Sequence, residues 1–216
     1  MEQGDFLPAG QPRRELTAAF VRDRFRGLAA PGRRISEGAR GDHTLSGEEP
    51  PEKLTRAAVL IGLTDRAEGL GVLLTQRTQH LADHAGQISL PGGRVEPSDP
   101  DTIFAALREA EEEIGLPPSN VEVIGRLDTY ITGTGFEIAP IVGLVRVPFL
   151  ERLDTFEVAE LFEVPLAFVV DPVNHQQRSR ELRGRQRSFY VLPYQNRYIW
   201  GATAAMLVNL AEVLGG

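Results

Sequence analysis

The sequence predicts a mixed α/β domain of the α+β kind, with a mixed central sheet covered by a few helices. Three observations carry this prediction. Apolar runs of strand length recur from Ala57 onward, hairpin-length loops join most of them, and helical periodicity is confined to a few segments. No Gly-x-Gly-x-x-Gly follows a strand and no Walker-type Gly-Lys-Ser/Thr occurs, so dinucleotide-binding and P-loop folds have little support.

In chain order, Glu15–Leu28 suits a short helix with Leu16 and Phe20 on one side. Ala30–Lys53 is rich in Gly, Pro, Glu and Arg and reads as a linker or extended arm. Ala57–Leu63 and Gly71–Thr75 are continuous apolar strands, and the polar Asp65–Gly69 between them predicts a hairpin. Gln87–Leu90 is a short strand ending in Pro91-Gly92-Gly93, and a helix follows over Pro100–Ile114. Strands are expected at Val121–Thr132 and Ile138–Val147, while Val158–Val170 mixes helix and strand signals. Arg187–Leu192 and Arg197–Trp200 read as strands. Ala202–Leu214 closes the chain as an amphipathic helix, with Leu207, Leu210 and Leu214 at helical spacing.

Composition narrows the function. The 216 residues suit one generous domain, or one domain with an appendage, and 42% hydrophobic content is enough for a core. There is no apolar stretch of membrane-spanning length and no signal-peptide pattern, so a cytoplasmic protein is the expectation. The absence of cysteine excludes disulfides and thiolate metal sites, so any metal is held by oxygen or histidine. A net charge of −7 argues against sequence-independent nucleic-acid binding.

The informative segment runs from Gly92-Gly93-Arg94 to Gly115-Leu116. Asp99 is placed to cap a helix, Pro100 suits its first position, and Gly115 with Pro117-Pro118 ends it. Ile103, Leu107, Ala110 and Ile114 fall in one stripe that should face the core. Glu109, Glu112 and Glu113 lie away from it, at spacings that make their side chains neighbours. Ala105 and Ala106 sit on the glutamate side one turn earlier and leave space. Like charges so spaced destabilise a helix, more so near its C-terminus where the dipole disfavours anions. A hard cation such as Mg²⁺ or Mn²⁺ relieves that repulsion. The bland alternative is a solvated acidic face.

The segment resembles the Nudix box, whose second half is Arg-Glu-apolar-x-Glu-Glu-x-Gly-apolar. Arg108-Glu109-Ala110-Glu111-Glu112-Glu113-Ile114-Gly115-Leu116 matches it throughout. The first half is one residue longer than the general pattern, which leaves Glu96 and Asp99 both open as the acid bracing Arg108. Upstream, Leu73-Leu74-Thr75-Gln76-Arg77-Thr78 and His84-Ala85-Gly86-Gln87-Ile88-Ser89-Leu90-Pro91-Gly92-Gly93 resemble the further signature of the coenzyme A pyrophosphatase branch, with Thr78 for Ser and Leu90 for Phe. That branch carries the same longer spacing. Ile199-Trp200-Gly201-Ala202-Thr203-Ala204 also looks like its final strand and helix.

The resemblance implies a Nudix fold, an α/β/α sandwich over residues 54–216, preceded by a helix and polar arm over residues 1–53. It implies hydrolysis of coenzyme A or its derivatives to 3′,5′-ADP and 4′-phosphopantetheine with Mg²⁺ or Mn²⁺. Glu109 and Glu113 are the expected first metal ligands, Glu112 a further ligand or water-orienting base, and a Gly92 or Gly93 carbonyl a further donor. Arg108 belongs to the catalytic set. Arg77, His84, Gln87, Gly92 and Phe136 are the expected substrate contacts, although Arg77 also reads as a surface arginine, His84 as a loop hydrogen-bonder and Gly133–Phe136 as an ordinary hairpin tip. Glu137, Glu157 and Glu160 are remote candidates for the base. Arg178, Arg180, Arg183, Arg185 and Arg187 read either as a solvated basic loop or as a site for the 3′-phosphate. The expected partner is a small nucleotide-type molecule, not nucleic acid or a membrane, and a homodimer stays open. Another nucleoside diphosphate derivative, such as ADP-ribose or NADH, is the second reading. A non-catalytic binding module is the third, against which the intact glutamates speak.

Overall fold

The computed structural model describes residues 15–28, 40–81, 84–182 and 184–215. Among them are helices α1 (Ala18–Leu28), α2 (Asp42–Ser46), α3 (Thr102–Ile114), α4 (Leu166–Val170) and α5 (Gly201–Leu214). Strands β1 (Arg40–Gly41), β2 (Thr55–Arg66), β3 (Gly69–Arg77), β4 (Ile88–Ser89), β5 (Gly92–Arg94), β6 (Val121–Arg126), β7 (Tyr130–Ile131), β8 (Phe136–Val145) and β9 (Val158–Pro165) form one mixed sheet. A smaller antiparallel sheet holds β10 (Gln176–Leu182), β11 (Arg185–Tyr194) and β12 (Arg197–Trp200).

The central strand β2 is buried from Ala57 to Thr64, which is why its sequence is continuously apolar. It runs parallel to β8 and antiparallel to β3 and β5. Alternation sorts its side chains between two cores. Ala58 and Leu60 pack with Leu73, Ile141, Val145 and the α3 residues Ala105, Ala106, Ala110 and Ile114. Val59, Ile61 and Leu63 pack with Val72, Leu74, Val142 and the helices α1, α4 and α5. Full burial of one such Leu or Ile contributes roughly 1.5–3 kcal/mol. The layers are helix, sheet, helix.

Several boundaries differ from expectation for tertiary reasons. Val121–Thr132 is broken into β6 and β7, and the chain between them is tied back: the Leu127 N–H donates to Pro140 O at 3.0 Å. Val158–Val170 resolves into β9 and then α4, with Pro165 ending the strand. The arginine stretch forms most of the β10–β11 hairpin, where Arg180 stands opposite Arg187. Arg183 lies outside the described residues. Of the stretch read as linker, residues 30–39 lie outside the description. From Arg40 it carries β1, paired in parallel with β7, and the short α2. Helix α5 is buried on nearly all sides from Thr203 to Ala211, not along one stripe, because α1, α4, β11 and β12 enclose it.

Candidate active site

Helix α3 docks through small residues. Ala105, Ala106 and Ala110 are fully buried, and their short side chains let the helix lie close on β2 and β8. This corrects two expectations. Of the predicted stripe, Ala110 and Ile114 are fully buried and Leu107 packs half-buried against the same core, but Ile103 at its start is 41% exposed. Nor do Ala105 and Ala106 face outward beside the glutamates. The rotation that buries the alanines also carries Glu113 inward, to 6% exposure. The cap moves as well. Asp101, not Asp99, accepts the Phe104 N–H at 2.8 Å, and the helix begins at Thr102. Gly115 adopts the left-handed conformation that ends it, with φ 72°.

The short strand β5 brings backbone against the glutamates. Gly92 has φ 153°, and a Cβ there would stand 2.4 Å from the Ala58 carbonyl oxygen. The Gly92 N–H donates to Glu113 Oε2 at 3.2 Å. At Gly93 a Cβ would stand 2.5 Å from the Glu109 carboxylate. The glycine pair therefore forms a cradle in which backbone and carboxylates share space that no larger residue leaves open.

Arg108 ties this cradle to the helix. Its Nε donates to Asp99 Oδ1 at 3.0 Å and its Nη2 to Asp99 Oδ2 at 3.1 Å, a bidentate pair. Nη2 also donates to the Arg94 carbonyl at 3.1 Å. Nη1 lies 3.1 Å from Glu109 Oε1 and donates to Glu112 Oε2 at 2.9 Å. The hydrogen bonds from Arg108 hold the Asp99 carboxyl below the usual carboxylate range. Asp99, not Glu96, is thus the acid against Arg108, and this occupation explains why Asp99 is not the cap. Asp99→Asn is expected to lower kcat by about 10–100-fold through misplacement of Glu109 and Glu112, the usual size of effect when a group that orients a site carboxylate is lost. Glu96→Gln should leave kcat unchanged. Equal effects in steady-state assays of the two variants would refute the brace.

Two carboxylates here are destabilised in their charged form. Burial pushes the Glu113 carboxyl up to about 8, and burial also raises that of Glu109. Arg77 answers the charge only in part. Its Nη1 lies 3.8 Å from Glu113 Oε1 and its Nη2 donates to Glu157 Oε2 at 3.3 Å, while its buried Nε has no partner. Glu157 is close enough to raise both Glu109 and Glu113 further. Among the described residues no three Asp, Glu or His side chains converge as a ready metal cage. Glu112 is turned toward Arg108 and its side chain is 60% exposed. The donor set still fits a hard divalent cation: oxygen ligands only, two of them poorly compensated, in a cradle kept open by Gly93.

Comparison with known proteins is consistent with this geometry. The sequence profile described as the NUDIX domain matches residues 53–179, more than half of the chain. A Nudix hydrolase, NudL, from Escherichia coli strain SMS-3-5, itself uncharacterized, is 41% identical over 160 residues, covering 74% of this chain and 83% of its own. The chain belongs to the Nudix hydrolase family. It is accordingly an enzyme of the pyrophosphohydrolase type with a Nudix fold. Among solved structures, an Ap4A hydrolase binary complex from C. elegans matches with 20% identity and TM-score 0.45 over 54% of this chain and 84% of that one. The Nudix hydrolase RenU from M. smegmatis matches with 24% identity and TM-score 0.43 over 59% and 81%.

In this Nudix hydrolase the structure gathers Arg77, Gly92, Gly93, Arg108, Glu109, Glu112 and Glu113 at one end of the sheet. Gln87 adjoins them through its carbonyl, which accepts the Arg77 N–H at 2.9 Å. His84 is exposed, at φ 57°, and its Nδ1 shares a 2.9 Å hydrogen bond with Gln87 Oε1. Phe136 sits under the Arg94 guanidinium, which lies 5.7 Å from the ring centroid. Glu160 is taken up by Arg197, and Glu137 stands on β8 opposite Arg56. Arg187 pairs with Glu48 at 3.3 Å and Arg178 donates to Gln176. The Glu157 loop is held over α3 by Asp154, whose N–H donates to Glu113 O at 2.9 Å. Only tertiary contact placed that loop, and no local signal singled out Asp154. No helix among the described residues is long and apolar enough to cross a membrane.

Proposed function

We propose that this Nudix hydrolase cleaves the pyrophosphate of coenzyme A or a derivative, giving 3′,5′-ADP and 4′-phosphopantetheine. The observation that carries the reading is Arg77. It belongs to the upstream signature resembling the coenzyme A pyrophosphatase branch, and its guanidinium stands between Glu113 and Glu157 with Nε unpartnered. Guanidinium forks match phosphate oxygens, so Arg77 receives the substrate pyrophosphate beside the glutamates.

Glu109 and Glu113 would hold Mg²⁺ or Mn²⁺, with Glu112 and the Gly93 carbonyl as further donors. A bound cation of this kind neutralises phosphate oxygens and lowers the pKa of its water. Arg108 keeps Glu109 and the Arg94 backbone in register through Asp99. Glu112 or Glu157 takes the proton of the attacking water, both being exposed enough to exchange it with solvent. The protein acts in the cytoplasm on a small nucleotide-type molecule.

The test is a substrate panel with Mg²⁺ or Mn²⁺, comparing coenzyme A, dephospho-coenzyme A, ADP-ribose and NADH. Coenzyme A should give the highest kcat/KM. Preference for ADP-ribose or NADH overturns the reading in favour of another nucleoside diphosphate derivative. Arg77→Ala should raise KM for coenzyme A by about tenfold or more, as expected for loss of a charge-assisted phosphate contact. An unchanged KM would return Arg77 to a structural role.

A further inference from the structure

Gln76, one residue before Arg77, borders a half-open cavity of about 520 Å³ between the 85–88 loop, β9 and the β11–β12 turn. We propose that this cavity is the subsite for the uncharged, amide-bearing arm of the substrate, the pantetheine portion of a coenzyme A-type molecule. The proposal rests on the preceding reading of the glutamate site. Nothing in the family match or in the relatives' descriptions assigns this cavity a role.

Charge excludes the phosphate-bearing end. The charged side chains lining the cavity are Glu160 and Arg197. They are committed to each other through hydrogen bonds of 2.9 and 2.7 Å. The Arg197 guanidinium is also covered by the Phe162 ring at 3.7 Å. A wall whose cation is already neutralised has no charge to offer a phosphate, and a phosphate placed there would lose its hydration without a partner. A neutral ligand carries no such penalty.

Hydrogen-bonding chemistry favours amides. Gln76, Gln87 and Asn196 line the cavity with primary amides. Gln76 Nε2 donates to Gly86 O at 3.5 Å and Gln87 Oε1 is hydrogen-bonded to His84 Nδ1, which leaves the Gln76 oxygen and the Gln87 NH₂ to a ligand together with the Asn196 amide. Two secondary amides separated by short methylene runs, as in pantetheine, match such a wall. Tyr198 and Trp200 supply apolar ring surface for the methylenes and the geminal methyls. The volume lies within the range of small-molecule sites.

Continuity links the cavity to the reacting centre. The carbonyl of Gln87, a cavity residue, accepts the Arg77 N–H at 2.9 Å. Gln76 and Arg77 are consecutive at the end of β3, where the pairing with β9 shifts register. The two side chains leave β3 on opposite faces, Arg77 toward Glu113 and Gln76 toward Glu160, so an arm leaving a phosphate held at Arg77 reaches the cavity by passing round the 85–88 loop at the sheet edge.

Trp200 is the sole tryptophan, so its emission reports on the cavity directly. Titrating the full-length protein separately with pantetheine and with 3′,5′-ADP should change Trp200 fluorescence saturably for pantetheine and not for 3′,5′-ADP. The side-chain amide resonances of Gln76, Gln87 and Asn196 should shift with the same midpoint. The reverse pattern, or no response to millimolar pantetheine, overturns the proposal. Asn196→Ala with Tyr198→Ala, both at exposed positions, should raise KM for coenzyme A about tenfold, with kcat and ADP-ribose hydrolysis unchanged. A KM unmoved by this double substitution overturns the subsite. If the enzyme does not hydrolyse coenzyme A at all, the proposed function fails, while the pantetheine titration still decides the cavity.

Discussion

Glu113→Gln is expected to lower kcat by about three orders of magnitude, since a metal site supplies several kcal/mol of transition-state stabilisation at about 1.4 kcal/mol per tenfold. Folding should survive. Glutamine has the shape of the protonated carboxyl, and Glu113 carries its proton when buried without a cation, up to a pH of about 8. The sign of the pH dependence follows. In the metal-free protein the folded state holds a proton that the unfolded chain releases above its ordinary value of 4.5. Stability therefore falls as pH rises from about 4.5 to about 8, and the contribution from this group is largest at the acid end. The glutamine variant lacks that slope. Its Tm relative to the parent should rise as pH is raised across the window. Metal binding to the parent at pH 7 should release about one proton, because the ligand must be deprotonated. Calorimetry in two buffers of different ionisation enthalpy measures this. Retained activity in the variant, or no proton release in the parent, would falsify the assignment of Glu113 as a ligand.

Gly92→Ala should have the largest effect on stability. The added methyl would stand 2.4 Å from the Ala58 oxygen and 2.6 Å from Val59 Cα, both backbone in the buried stretch of the central strand. Neither atom can swing away as a side-chain tip can. The φ of 153° adds strain for any residue with a Cβ. Together these cost about 3 kcal/mol or more, which is a drop in Tm of roughly 6–12 °C for a domain of this size. Activity should fall too, because the displaced Gly92 N–H is a hydrogen-bond donor to Glu113. Gly27→Ala in α1 is the control. A methyl there meets open space and the residue is helical, so this change should stabilise slightly. Equal thermal shifts for the two variants, measured by calorimetry, would show that the close approach at Gly92 is not rigid.

The helix carrying Glu109, Glu112 and Glu113 was legible because its signals are local: a terminating glycine, two prolines and a run of carboxylates at helical spacing. Its orientation was legible only in part. Periodicity placed Ile103, Leu107, Ala110 and Ile114 on the buried face; Ala110 and Ile114 are buried there, but Ile103 is exposed and the sheet receives Ala105 and Ala106 as well. Small residues contribute little to an apolar stripe and much to close docking. The same blindness hid the burial of Glu113, since a hydrophobicity pattern places every glutamate outside.

By itself the sequence determined the order of the main strands and helices, a mixed sheet covered by helices, the absence of thiolate chemistry and the run of glutamates after the glycine pair that marks the family. Those properties follow from composition and from neighbours a few residues apart. Tertiary structure decided which acid holds Arg108, which glutamate is desolvated, and that Arg77 and Glu157, 80 residues apart, meet beside Glu113. A carboxylate's role depends on the dielectric and the charges around it, and both are properties of packed surfaces, not of the chain that supplies them.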